Sequence, residues 1–181
     1  MGENKRYRQT IVGFNRPWTL VATERGVSEL IYPPEVAAQA GFTEDYAQLA
    51  EAPGLFEQFG IVERLERYFA GEPVSFEGIP LDVRGTLFQT SVWTGLSQIP
   101  YGKTLTYKQF SDALGKSSAA VRAVGTAIGR NPLPVVLPCH RVVGSNGTLT
   151  GFRGGLQMKR DILALEGVTS MSAAGHDRFR F

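Results

Sequence analysis

The chain has 181 residues with 43% hydrophobic and 20% charged residues, which is the composition of a soluble globular protein. Its single cysteine excludes an intramolecular disulfide, and no apolar run approaches the roughly 20 residues needed to span a bilayer. No apolar segment follows the charges near Met1, so no signal peptide is expected, and we predict a cytoplasmic protein without membrane contact.

Charge is unevenly distributed along the chain. Residues 1–100 carry 8 Lys and Arg against 13 Asp and Glu, whereas residues 101–181 carry 11 against 4. A basic second half offers an electrostatic footprint for a polyanion. Chance segregation of charge explains the same counts, so this observation alone leaves the partner open.

The first half predicts a small sheet followed by helix. Residues 8–14, 18–23 and 27–32 are rich in β-branched and aromatic residues and are separated by short turns, which predicts an antiparallel three-stranded meander. Apolar residues at helical spacing predict one continuous helix over 54–71. Residues 74–82 read as an extended linker, so we place a first domain at 1–85. That domain has no Cys or His, which makes a zinc site there improbable, and we expect no metal and no cofactor.

The second half begins with three predicted helices. The first covers residues 86–99, with Leu87 among the residues assigned to its buried side. Helices at 107–114 and 118–130, joined by a short turn containing glycine, fit a helix-turn-helix. The last of these is crowded with small residues around one long cation, Arg122. Small residues suit close packing against a DNA groove or against a neighbouring helix, and composition does not decide between the two.

Three further features complete the second half. Gly144-Ser145-Asn146-Gly147 is a strong hairpin signal, because Asn-Gly tolerates the positive φ that the turn requires. A hairpin added to a helix-turn-helix predicts a winged helix. A last helix is predicted at 156–165, which puts the second domain at 86–168 and a loose tail at 169–181.

The only cysteine, Cys139, lies behind a stiff apolar segment. Three prolines in residues 132–138 exclude helix interior and favour extended backbone. A thiol held in one place next to two potential cations, His140 and Arg141, is a candidate nucleophile, because neighbouring cations lower a thiol pKa. A buried, inert structural cysteine is the alternative.

Pro138-Cys139-His140-Arg141-Val142, with Asn131-Pro132 before it, resembles the active-site signature of the O6-alkylguanine-DNA alkyltransferases. The similarity extends over residues 86–166. It implies an α+β fold in which an RNase H-like first domain, with the three-stranded sheet and helices, precedes a helical domain with a winged helix-turn-helix. It also implies DNA repair by direct reversal: the alkyl group of O6-alkylguanine, with O4-alkylthymine as a second candidate, passes irreversibly to Cys139. Such a methyltransferase acts once, as a monomer, on double-stranded DNA with alkylated bases.

The resemblance also implies roles for individual residues. Cys139 is the nucleophile, His140 its base through a water, Glu166 the acid that orients His140, and Asn131 the tie between the helix-turn-helix and the active-site loop. Arg122 fills the space left by the extruded base, and Tyr107 crowds the phosphate of that nucleotide. Further DNA contacts are expected from Ala120, Ala123 and Gly125. The base pocket is expected to be lined by Pro134, Val142, Phe152, Arg153 and Gly154.

Two features remain open at the level of sequence. Many relatives carry Tyr at the position of Phe152 and a small polar residue at that of Arg153, so the substrate range is undetermined. Without the resemblance, Glu166 reads as a solvated helix-end residue. Two other functions also remain: a winged-helix regulator with a structural cysteine, which would show a footprint without alkyl transfer, and a Cys-His hydrolase, which would turn over esters without DNA.

Overall fold

A computed structural model describes residues 4–170, and the predicted tail lies outside these residues except for Thr169 and Ser170. The chain divides into two compact units, Met1–Arg84 and Gly85–Phe181. Each combines helices with a small sheet, so the predicted α+β class is confirmed.

The first unit contains a sheet whose first three strands follow one another along the chain. Strands β1 (Tyr7–Gly13), β2 (Arg16–Thr23) and β3 (Gly26–Ile31) pair antiparallel in sequence order. The predicted meander is therefore present, but its first turn falls at Phe14 and Asn15, both in the left-handed region, and Pro17 lies within β2. A fourth strand, β4 (Ala50–Glu51), joins the sheet parallel to β1 and was missed, because two residues carry no periodic signal.

Helices cover the sheet of the first unit. After α1 (Pro34–Gln39) and a 3₁₀ turn at Tyr46–Gln48 come α2 (Pro53–Phe59) and α3 (Ile61–Phe69), which contact β1. The prediction of one continuous helix here was wrong. Gly60, between them, adopts φ 70°, a conformation that ends a helix and that glycine adopts without steric cost.

Between residues 85 and 170, the described part of the second unit, there are four α-helices and two short strands. They are α4 (Leu87–Leu96), β5 (Leu105–Thr106), α5 (Tyr107–Ala113), α6 (Val121–Gly129), β6 (Val142–Val143) and α7 (Gly155–Leu165). Helix α4 packs on α6, where the Trp93 indole donates to the Ala127 carbonyl at 2.7 Å. The placement of Leu87 on the buried side of α4 was wrong: it is 91% exposed, because it lies in the first turn beside the capping residue Thr86.

The predicted turn after Cys139 is present, and the strand that precedes it pairs in parallel with β5. The Gly144 N–H donates to the Thr148 carbonyl at 2.8 Å, so residues 144–148 do form a tight turn. The strand before it, β6, pairs in parallel with β5. This parallel pairing places the residues after Cys139 beside the start of α5.

Candidate active site

The segment before Cys139 is folded around the side chain of Asn131. Its amide nitrogen donates to the Leu137 carbonyl at 2.7 Å, and its amide oxygen accepts from the Leu133 N–H at 3.0 Å. The Leu137 N–H in turn donates to the Leu133 carbonyl at 2.9 Å. One buried amide thus satisfies two backbone groups that no helix or strand could pair. Asn131 joins the end of α6 to the loop that presents the thiol.

Val135 gives this loop a strained turn. Its φ is 73°, and the Val136 N–H donates to the Pro134 carbonyl at 2.9 Å, which makes a γ-turn of the rarer, positive-φ hand. A β-branched residue in this region is an outlier, because its side chain crowds the following carbonyl. The surrounding bonds and the burial of Val135 hold the backbone in this shape.

Cys139 is 6% exposed and begins a short 3₁₀ turn, Cys139–Arg141. Burial raises the pKa of its thiol, while a hydrogen bond with the Asn131 side chain and the positive charge of Lys159 oppose the rise. Arg141, which we expected to act on the thiol, binds elsewhere. The positive charge that lowers the pKa of the thiol is therefore that of Lys159 on α7, and its effect comes after that of Asn131.

The His140 ring is fixed by Glu166. Its Nε2 lies 2.7 Å from Glu166 Oε1, and both side chains are fully buried. Burial lowers the pKa of His140, against the opposing influence of Glu166. The structure thus brings together two residues that are 26 positions apart, and the alternative of a solvated Glu166 is excluded.

Arg141 was not expected at this carboxylate. Its guanidinium donates from Nη2 to Glu166 Oε1 at 2.9 Å and from Nε to Oε2 at 3.0 Å, while Nη1 donates to the Ile99 carbonyl at 2.6 Å. Sequence offers one retrospective signal for this pairing. A buried carboxylate demands a cation, and Arg141 is the cation nearest His140 along the chain.

Lys159 was missed altogether. It is 0% exposed on α7, and its ammonium donates to the carbonyls of Val142 at 2.7 Å and Thr150 at 2.9 Å. The rings of Tyr107 and Phe152 both lie 5.9 Å from Nζ. Burial lowers the pKa of Lys159 to about 8, although Cys139 opposes this. A lysine at an apolar position of a helical pattern was the available signal, since α7 buries that face.

Two other residues predicted for the site, Tyr107 and Phe152, lie beside the Lys159 ammonium. Tyr107 is buried, its hydroxyl 3.4 Å from the Thr150 carbonyl oxygen and 3.5 Å from that of Gly151, and burial raises the pKa of its phenol. The other members of the predicted pocket differ in exposure, Pro134 and Val142 being buried and Phe152, Arg153 and Gly154 half-buried. Tyr107 and Phe152 share contact with the Lys159 ammonium, so these two belong to the site by geometry.

Helix α6 presents the predicted contact residues unequally. Arg122 and Ala123 are exposed, and Ala120, in the 3₁₀ turn Ser118–Ala120 that precedes the helix, is half-buried. Gly125 is buried, and its contact with DNA stays a prediction. The small residues of α6 therefore lie on two faces. One face packs on α4 and α5, and the other, which carries Arg122, is exposed.

Residues 4–170 contain no group of three or more His, Cys, Asp or Glu side chains placed to hold a metal ion. Within the same residues, no helix is long and apolar enough to cross a membrane. The reactive groups of the site are the Cys139 thiol, the His140 imidazole, the Glu166 carboxylate and the buried cations of Arg141 and Lys159.

Fold and site together define a single-cysteine α+β protein whose thiol follows helices α5 and α6 in the chain and adjoins a buried histidine–carboxylate pair. Residues 87–168 match the family model described as 6-O-methylguanine DNA methyltransferase, DNA binding domain. The methylated-DNA–protein-cysteine methyltransferase of Mycobacterium bovis is 50% identical over 114 residues, which cover 63% of this chain and 67% of that protein.

Solved structures agree over nearly the whole chain. The O6-methylguanine methyltransferase of Mycobacterium tuberculosis is 38% identical with a TM-score of 0.72, covering 93% of this chain and 96% of that one. A structure of the M. tuberculosis protein named OGT, in complex with DNA, is 39% identical with a TM-score of 0.76, covering 90% and 94%. The chain belongs to the methylated-DNA–protein-cysteine methyltransferase family, the O6-alkylguanine-DNA alkyltransferases, and the resemblance predicted from residues 138–142 is confirmed.

Proposed function

We propose that this protein repairs DNA by direct reversal, transferring the alkyl group of O6-alkylguanine to the sulfur of Cys139. O4-alkylthymine is the second candidate substrate. The observation that carries the proposal is the buried hydrogen bond of 2.7 Å between His140 and Glu166, directly beside the only cysteine of the chain. A merely structural cysteine has no need of an adjacent histidine held by a buried carboxylate.

The transfer is a displacement at carbon. The thiol proton passes to His140, through a bridging water as the family resemblance implies, and the thiolate attacks the alkyl carbon. The sulfur–carbon bond forms as the bond from that carbon to the guanine O6 breaks, and the electron pair remains on the base. The base then takes one proton and is restored as guanine. Because the resulting thioether resists hydrolysis, each molecule acts once.

The site must stabilise the Cys139 thiolate, because burial disfavours the charged form of the sulfur. Burial raises the pKa of the Cys139 thiol, so the proton requires both an acceptor and a positive field to stabilise the anion that it leaves. His140, held by Glu166, is the acceptor, and the Lys159 ammonium supplies the field. Asn131 adds a hydrogen bond to the sulfur and fixes the loop.

Reaching a guanine inside a duplex requires extrusion of the nucleotide, at a cost of a few kcal/mol. Helices α5 and α6 form the helix-turn-helix that we propose to lie on the DNA, with Arg122 entering the stack and the exposed Ala123 beside it. Tyr107 is proposed to border the extruded nucleotide at the mouth of the pocket. The M. tuberculosis relative solved in complex with DNA supports DNA as the partner.

Finer features of the architecture belong to the same proposal. The sheet order β3-β2-β1-β4, with β4 parallel to β1, supports an RNase H-like first domain over residues 1–85. Helices α5 and α6 with the turn at 144–148 support a winged helix within a second domain over 86–168. We further propose that the protein acts as a monomer in the cytoplasm.

Intact mass spectrometry tests the proposed function. The protein is incubated with a duplex that contains O6-methylguanine, and the expected product is the protein heavier by one CH₂, at one equivalent and no more. Cys139→Ser is expected to keep its mass while still retarding the duplex on a gel. A mass gain in Cys139→Ser, or none in the wild type, would overturn the proposal.

Two controls separate the other candidate functions. A winged-helix regulator would bind its duplex with no gain of mass on any alkylated substrate. A thiol hydrolase would release product from a chromogenic ester continuously and without DNA.

The proposed repair protein is expected to bind undamaged duplex less tightly as salt increases, since its basic half displaces counterions from the phosphates.

A further inference from the structure

The hydrogen bonds of the Arg141 guanidinium go to Glu166 and to the Ile99 carbonyl. The bidentate pair with Glu166 and the bond to the Ile99 carbonyl engage all three of its nitrogens. The side chain is 9% exposed, and the Tyr101 ring lies 5.7 Å from its central carbon. The planar guanidinium holds both carboxylate oxygens at once, and the bond to Ile99 fixes its orientation. A lysine ammonium lacks this planar, bidentate geometry.

Glu166 accepts hydrogen bonds from two segments of the chain, residues 140–141 and the turn at 101–102. Besides His140 and Arg141, the Gly102 N–H donates to Oε2 at 3.0 Å, and the Tyr101 hydroxyl donates to the neighbouring Leu165 carbonyl at 3.1 Å. Burial alone would raise the pKa of Glu166, but the bonds from His140 and Arg141 outweigh it and hold that pKa well below its usual range. The carboxylate is thus anionic at neutral pH despite its burial.

Charge balance decides the state of the histidine. An anionic Glu166 standing alone would draw a proton onto the imidazole 2.7 Å away, and a protonated histidine cannot accept the thiol proton. Burial lowers the pKa of the imidazole, and the charge of Arg141, paired to Glu166, opposes the pull of that carboxylate on the proton. The other charged or titratable groups around His140 are Lys159 on α7 and Cys139 on its own turn, and Tyr101 lies near Glu166 and Arg141.

We propose that Arg141 is a positioning residue that neutralises Glu166, so that Glu166 orients His140 as a neutral base instead of converting it into an imidazolium. The consequence for alkyl transfer rests on the proposed function, whereas the consequence for the histidine does not. Burial and the charges of Arg141 and Lys159 lower the pKa of His140, in the same direction as this geometry.

The imidazole nitrogens of ¹⁵N-labelled protein report the protonation state directly. His176 is the second histidine of the chain, lies outside the described residues, and is assigned with His176→Gln. In the wild type we expect His140 to remain neutral at about pH 6, below the ordinary histidine pKa of about 6.5. An imidazolium spectrum for wild-type His140 at that pH would overturn the inference, and this arm requires no variant at Arg141.

Substitution then separates charge from geometry. Arg141→Gln removes the charge, and the pKa of His140 is expected to rise by about one unit or more. Arg141→Lys keeps the charge without the planar, bidentate geometry, so that pKa is expected to stay near that of the wild type. A folded Arg141→Gln in which His140 titrates as in the wild type would contradict the proposal.

Activity provides the last comparison. Single-turnover transfer to free O6-benzylguanine avoids DNA binding, and its acid limb is expected to move to higher pH in Arg141→Gln together with the histidine pKa. A rate reduced equally at all pH values would instead mean that Arg141 only supports the fold. If the wild type transfers nothing while His140 behaves as expected, the proposed function fails and the inference about Arg141 stands.

Discussion

The Lys159 ammonium donates to the Val142 carbonyl oxygen at 2.7 Å, so a fully buried cation on α7 is tied to the strand that directly follows the Cys139 turn. This bond connects the last helix to the thiol segment. Lys159→Met is expected to raise the pKa of the Cys139 thiol and to slow transfer by about tenfold or more at neutral pH, since an opposite charge near an acid shifts its pKa by one to three units. Arg160→Met, exposed on the same helix, is the matched control, and a rate unchanged in Lys159→Met would contradict this role.

The same lysine predicts a pH dependence. Its pKa of about 8 means that the ammonium is charged at neutral pH and loses its proton as pH rises through that value. In the wild type, the thiolate therefore loses its positive partner just as alkalinity favours its formation, so the transfer rate is expected to level off above about pH 8. Lys159→Met lacks that group and is expected to keep rising. Single-turnover rates on free O6-benzylguanine between pH 6 and 10 check this, and parallel profiles would reject it.

Asn131→Ala removes both partners that the amide supplies to the loop. The Leu133 N–H is left buried without that bond, whereas the Leu137 carbonyl keeps its bond from the Cys139 N–H, so the expected loss of unfolding free energy is about 1–3 kcal/mol. Urea unfolding measures this loss, with Asn146→Ala, at an exposed turn position, as the control. A loss equal to that of the control would mean that the loop holds its shape without Asn131.

Val135→Gly tests the strain in the thiol loop. Val135 and Val136 are both buried, so replacement by glycine removes a similar apolar side chain at either position. Only Val135 has positive φ, where a β-branched residue is disfavoured by about 1–2 kcal/mol. Val135→Gly is therefore expected to destabilise the protein by that much less than Val136→Gly in urea unfolding. Equal destabilisation would show that the turn stores no strain.

Gly60→Ala tests why the predicted long helix is broken. A Cβ at Gly60 would meet nothing within 4 Å, so the expected loss of about 1 kcal/mol is purely conformational, from φ 70°. Gly54→Ala, in α2 and equally open, is expected to stabilise the protein by about 0.5–1 kcal/mol because it favours helix. Thermal unfolding compares the two, and changes of the same sign would refute the explanation.

Arg122→Ala tests extrusion of the base. An exposed guanidinium on a face of small residues can occupy the gap in the stack, so its loss is expected to slow transfer from duplex by about tenfold or more and to spare free O6-benzylguanine. Arg122→Lys should recover part of the rate, since an ammonium lacks the planar face that stacks. Arg130→Ala, exposed just past the other end of α6, is the control. Equal slowing on both substrates would assign Arg122 to the fold or the thiol.

Local patterns in the sequence predicted much of the fold and the centre of the site. Runs rich in β-branched and aromatic residues predicted β1 to β3, the helices predicted at 86–99, 107–114, 118–130 and 156–165 match α4 to α7 within a few residues, and the segment around Cys139 predicted the family. These features depend on neighbours along the chain, whose side chains share a face of one helix or strand. The break at Gly60 was not predicted, because a continuous apolar stripe does not report the backbone φ of a residue within it. The exposure of Leu87 was not predicted, because the stripe does not show which turn of a helix meets the core.

Only the tertiary structure determined which side chains meet across long separations. Arg141 was a neighbour of Cys139 in sequence and a candidate cation for the thiol, yet its guanidinium binds Glu166, 25 positions away, and Lys159 acts on the thiol in its place. The parallel pairing of β5 with β6 likewise depends on residues 37 positions apart. A sequence lists the charges, but burial decides their partners, because a buried charge must be neutralised by whichever opposite charge the packing brings within reach.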